Sequence, residues 1–269
     1  MNSNLFLMEL RRNIVSLVIW TIIITLLISV SMAVFPTFLA NQSKVMAMMN
    51  LVPKGALQFK GISNFNDLLS PLGFYASNNL VFMLVLGSVF AVVLGSNILL
   101  KEEYNKTAEY LLTKPLSRGE IFLSKMAVVF LDIFLLNLLT SAAGLISLEL
   151  VKKGGFSIMA FLTLSGYSLL LNLLFGATGL FISTLVKRAK PVTTFTIGLV
   201  LILYFIYTIS KIAGNAEQIG YISPFKYVGV DVTNPEYGFE PLNILYFTCL
   251  TTLFGLLSYR LYLKKDIYT

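Results

Sequence analysis

The chain has 269 residues, 57% hydrophobic and only 12% charged, against about 25% charged in a soluble domain, and its mean hydropathy of +0.81 excludes an ordinary water-soluble fold. The net charge of +7 comes from bases that flank apolar runs and form no stripe interleaved with aromatics, so it points to a membrane-orientation bias and not to nucleic acid. One cysteine, Cys249, and no histidine exclude an intrachain disulfide, thiolate or imidazole metal sites, and Ser-His-Asp or Cys-His catalysis.

Six apolar runs are long enough to span a bilayer, at 14–35, 79–100, 126–148, 161–186, 192–212 and 243–262. The expected fold is all-α and polytopic, a single transmembrane domain over 1–269. Arg11 and Arg12 precede the first run, and Ser31-Met32-Ala33 resembles a small-residue cleavage site. The run exceeds the core of a signal peptide, about 7–15 residues, which favours a retained helix. The stretch 36–78 is expected as a long outer loop. Within it Val45, Met46, Met48, Met49, Leu51 and Val52 precede Pro53 and read either as a short interfacial helix or as loop packing.

On the second span Gly87, Ala91 and Gly95 recur every four residues, a small face suited to close helix packing or to the border of a transport path. The stretch KEEYNKTAEYLLTKPLSRGEIFLSK, 101–125, follows and is the densest charge cluster in the chain. Glu102, Lys106, Glu109 and Thr113 fall on one helical stripe, with Tyr104, Ala108, Leu111 and Leu112 opposite, so the segment predicts a short amphipathic helix. Pro115 ends it. Ser117-Arg118-Gly119-Glu120 then supplies a capping box that starts the next helix.

Asp132 is the one acid well inside an apolar run. It lies seven residues past Lys125, roughly 10 Å along a helix, where it could reach the interface, pair with a base, or serve coupling, gating or proton relay. Asn137 and Asn172 could bond between helices, and Lys211 and Glu149 should snorkel at the outer boundary. Gly176, Gly179 and Ser183 give the fourth span a small face. Lys187, Arg188, Ala189, Lys190 and Pro191 separate it from the fifth, so the two are expected as a tight antiparallel pair, with one bent helix as the alternative. A second long outer loop is expected over 213–242.

Thirteen of the 20 Lys and Arg residues fall at one set of alternating loops and ends, which predicts cytoplasmic N and C termini. There is no Gly-x-x-x-x-Gly-Lys-Ser/Thr loop for nucleotide phosphates and no convincing nucleophile–base pair.

The run from Glu102 to Lys125, an acidic turn, Thr-x-Glu-x-Leu-Leu, Pro, Ser-Arg, Glu and a final Lys, resembles a recurring stretch in the membrane subunits of ATP-binding cassette (ABC) exporters of the type-2 permease family. Met8-Glu9-Leu10-Arg11-Arg12 with Ile19-Trp20 resembles the amphipathic elbow and first span of that family, and Ile222-Ser223-Pro224-Phe225-Lys226-Tyr227 its outer Ser-Pro-Phe-aromatic turn. The resemblance implies that segment 101–120 is a cytoplasmic coupling element, with Glu102, Glu103, Tyr104, Lys106, Glu109, Leu111, Leu112, Pro115 and Arg118 at the ATPase contact. It further implies two copies of a separate cytoplasmic ATPase that binds ATP and magnesium, and a second membrane subunit, identical or closely similar. This chain would hold no cofactor itself and would reside in a cell membrane, the cytoplasmic membrane of a bacterium. Few intramembrane charges and abundant Phe, Met and Leu suggest a hydrophobic or amphipathic cargo: a peptide, a lipid-like molecule or a drug. A non-transporting scaffold or regulatory membrane subunit is the other reading.

Overall fold

Asn2 starts the first helix by accepting the Leu5 amide on its side chain at 3.1 Å, which satisfies one of the donors a helix start leaves unpaired. In the computed structural model, which describes residues 2–49, 68–104, 116–151, 155–186, 192–212, 214–228 and 238–265, this helix, α1, runs Ser3–Ala40. At 1.5 Å per residue it is about 57 Å long, well beyond the roughly 30 Å hydrocarbon core. Ser31 and Ala33 lie inside it, and Met32 is fully buried. Pro36 also lies inside it; a single proline removes one amide near the helix end without stopping the chain of good helix formers around it.

The described part of the expected loop 36–78 is therefore largely helical. α2 spans Gln42–Met49 and forms the N-terminal part of the short helix read from the Met-rich stretch. α3, Pro71–Tyr75, starts with proline at its first turn and Ser70 accepting the Gly73 amide at 3.0 Å, the serine-then-proline start that pre-forms a helix. A π-helical turn, Ala76–Leu80, leads into α4, Val81–Tyr104. The second span thus begins about eight residues before its apolar run. α5 covers Arg118–Val151, and α6 covers Ile158–Leu185 with Ser157 capping through the Ala160 amide at 3.2 Å. α7 is Val192–Ile212, two 3-10 turns follow at Gly214–Ile222 and Pro224–Val228, and α8 is Pro241–Lys264. Six of these helical stretches are long and apolar enough to cross a membrane, and no strand occurs among the described residues.

α4 and α6 form the centre, and their small faces touch backbone to backbone. A Cβ on Gly95 would collide with the Gly176 carbonyl oxygen, and one on Gly179 with the Val92 carbonyl, so these glycines serve packing, as their spacing suggests. α5 packs on the same pair, α1 lies along α5, and α8 lies along α6. α6 and α7 are separate helices. They meet at the basic end, where Leu100, Ile182 and Val192 cluster, but share little contact beyond it, and α7 rests chiefly on α4. The tight pair expected from their short connection does not form, because α4 and α8 already occupy the packing faces of α6.

Buried polar side chains bind the three inner helices. Asn172 donates to the Asn137 side-chain oxygen at 3.1 Å, Ser168 donates to the same oxygen at 3.2 Å, and Ser88 donates to the Asn172 oxygen at 3.1 Å. Within hydrocarbon such groups must find partners inside the protein. At the opposite end from the termini, Ser223 donates to the Leu203 carbonyl at 2.7 Å and drives Phe225 between Phe175, Tyr204 and Tyr207. The described turns of segment 213–242 are thereby locked into the bundle. Lys211 and Glu149 are exposed, and the Lys211 ammonium lies 4.8 Å from the Tyr207 ring centre.

Candidate coupling site at the basic end of the bundle

Successive spans alternate in direction, so the start of α1, the end of α4 and the start of α5 lie at one end of the bundle. Each contributes one charge to a buried cluster. Glu9, in the second turn of α1, is 0% exposed. The Lys125 ammonium of α5 sits 3.1 Å from one of its oxygens, and the Lys101 ammonium, in the last turn of α4, pairs with the other. Arg12 approaches the carboxylate at 3.9 Å from its own helix. Lys125 also donates to the Ile98 carbonyl at 2.7 Å, which fixes α5 to α4.

A lone carboxylate in this environment would carry several kcal/mol of desolvation, about 20 kcal/mol in the idealised limit. An ammonium at each oxygen compensates it. The cluster is therefore a three-helix clasp whose members depend on one another.

Around it the chain termini are tied in. The Asn2 amide donates to Ser124 at 2.9 Å, and Ser124 donates back to the Asn2 carbonyl at 3.3 Å. Arg118 donates to the Lys265 carbonyl at 2.8 Å, and Lys265 to the Ser183 carbonyl at 3.3 Å, so cations occupy the carbonyl-rich ends of α8 and α6. The capping box forms as its sequence requires: the Ser117 amide donates to the Glu120 carboxylate at 3.0 Å and the Glu120 amide to the Ser117 hydroxyl at 3.2 Å.

Of the residues picked out in the sequence, Glu102, Glu103 and Tyr104 close the last turn of α4, and Arg118 opens α5. Lys106, Glu109, Leu111, Leu112 and Pro115 lie outside the described residues, as does the body of the amphipathic helix. The clasp joins the two helices that lead into and out of that segment. Asp132 is buried on α5, one step deeper, and accepts from the Asn13 side chain at 3.3 Å. Its hydrogen-bond donor is thus an amide, because Asn13 takes the inner face of α1 while Arg12 turns to Glu9. Glu9 was not among the predicted site residues. The available signal was that it is the only acid before Asp67, placed directly ahead of a spanning run.

A search among curated proteins returns no significant match. The family model described as "ABC-2 family transporter protein" matches residues 3–267. That match covers all six spanning helices and both sides of the clasp, and the chain accordingly belongs to the ABC-2 transporter family, as the membrane subunit of an ABC transporter.

Proposed function

We propose that this chain is the permease of an exporter in which segment 101–120 receives the motion of a cytoplasmic ABC ATPase and the clasp at Glu9 passes it to α1. The observation that carries this reading is the burial of Glu9 between Lys101 and Lys125, at the two roots of the proposed coupling element. A push on that element moves α4 and α5; α1 follows, since separating it would leave a carboxylate buried without a counter-charge. Rigid-body displacement of packed helices is an established way to convert such a push into opening.

In this scheme Glu102, Lys106 and Glu109 make polar contacts with the ATPase, and Tyr104, Leu111 and Leu112 anchor the element to the span ends. ATP and magnesium are bound by two copies of that ATPase, a second copy of this chain completes the path, and the cargo is hydrophobic or amphipathic. The test is co-purification of a tagged chain with an ATPase that carries a phosphate-binding loop, in wild type and in Glu109→Arg. Expected is loss of ATPase capture and of transport in the variant, with membrane insertion intact. Unchanged capture and transport would remove the coupling role, and absence of any ATPase in wild type would favour a scaffold.

A further inference from the structure

We propose that the cleft between α1 and α4 binds an anionic lipid of the leaflet next to the chain termini. The cavity has a volume of about 160 Å³ and is polar at one end, with Asn13, Asn97 and Lys101, and apolar at the other, with Trp20, Phe90 and Leu94. On α4 these residues form one stripe. From Lys101 to Phe90 it runs eleven residues, about 16 Å along the helix, which is the half-thickness of a hydrocarbon core of about 30 Å. The floor is a ring contact between Trp20 and Phe90, with centroids 6.0 Å apart. A cavity that runs about half the thickness of a hydrocarbon core and grades from amide and ammonium to aromatic matches a lipid chain in length and polarity. Its volume is below the roughly 300 Å³ at which pockets for drug-sized ligands begin, which favours one alkyl chain over a folded or multi-ring molecule.

The sign of the headgroup follows from exposure. Among the described residues Lys101 is the one charged residue lining the cavity, and its side chain is 19% exposed. Glu9 and Asp132 are fully buried behind it, so among the described lining residues a headgroup in the cleft meets an ammonium and amides. A phosphate there would share the Lys101 ammonium with Glu9, which places lipid occupancy in direct contact with the three-helix clasp.

Trp20 is the single tryptophan of the chain and lies at the cavity floor, so its fluorescence reports the occupant. The full chain is reconstituted in phosphatidylcholine vesicles containing graded fractions of acyl-brominated phosphatidylglycerol or acyl-brominated phosphatidylcholine. The anionic lipid is expected to quench Trp20 at about one-fifth the mole fraction needed by the zwitterionic one, the factor that one lysine near an anionic surface supplies. Equal quenching by the two, or none by either because a second copy covers the cleft, would overturn the proposal. Lys101→Gln leaves Glu9 paired with Lys125 and should abolish the preference; a preference that persists counts against the headgroup assignment. Leu94→Phe fills the apolar end and should weaken quenching by both lipids. Undiminished quenching there would mean that Trp20 is reached from open bilayer and that the cleft holds nothing.

Discussion

Lys125 shows how much one side chain can decide at the basic end. It is 1% exposed and holds both Glu9 and the Ile98 carbonyl. Lys125→Met should cost about 1.5–3 kcal/mol, the worth of hydrogen bonds to a charged group, because Glu9 then keeps only Lys101 and the more distant Arg12 as counter-charges and the Ile98 carbonyl loses its donor. Glu9→Gln together with Lys125→Met should recover a large part of that loss. Unfolding midpoints in detergent for the wild type, both single variants and the double variant measure the coupling directly; purely additive changes would show that the two groups do not depend on each other. The same contrast explains what was readable here. The Ser117–Glu120 capping box could be read because its partners are three residues apart. Glu9 could not, because its lysines come from two helices that only the folded bundle brings to it.

At the level of helices, the α4–α6 contact rests on absent side chains. Gly95→Ala places a methyl against the Gly176 carbonyl, and overpacking of this kind costs about 1–3 kcal/mol, although alanine is the better helix former by about 1 kcal/mol. Gly255→Ala is the control. A Cβ at Gly255 on α8 meets nothing within 4 Å, so that change should be neutral or slightly stabilising. Thermal unfolding of the two variants should therefore move in opposite directions or differ by several degrees, with Gly95→Ala the lower. The spacing of Gly87, Ala91 and Gly95 announced a close helix contact but not its partner. Likewise, the short 187–191 connection announced neighbours in sequence, and yet α7 lies mainly against α4. Side-chain complementarity, once α4 and α8 had filled the faces of α6, outweighed chain proximity.

For the whole molecule, both ends of the described chain converge: Asn2 bonds to Ser124, and Arg118 bonds to the Lys265 carbonyl. With the excess of Lys and Arg at that end, both termini should face the cytoplasm. Single cysteines at Asn2, Lys265 and Gln218, introduced with Cys249→Ser, test this with a membrane-impermeant maleimide. Gln218 is exposed in the turn at the opposite end and should label from outside intact cells, while positions 2 and 265 should label only after the membrane is opened. Labelling of all three from one side would overturn the six-span topology.

The sequence by itself determined the solvent, the number of spans and the local start of the helix that Ser117 caps at Arg118, since these depend on run length and on neighbours within one or two turns. Only the tertiary structure decided which spans are inner and which are peripheral. α1 is the most apolar of the six and yet among the least buried, whereas α4 is mostly enclosed. Hydropathy cannot rank them, because lipid tails are as apolar as leucine and a face turned to lipid looks like a face turned to protein. What selects the inner helices is fit and polar satisfaction, through the glycines of α4 and α6 and the Asn137–Asn172 network; what holds the peripheral α1 to them at the basic end is a carboxylate at Glu9 that meets lysines from two other helices.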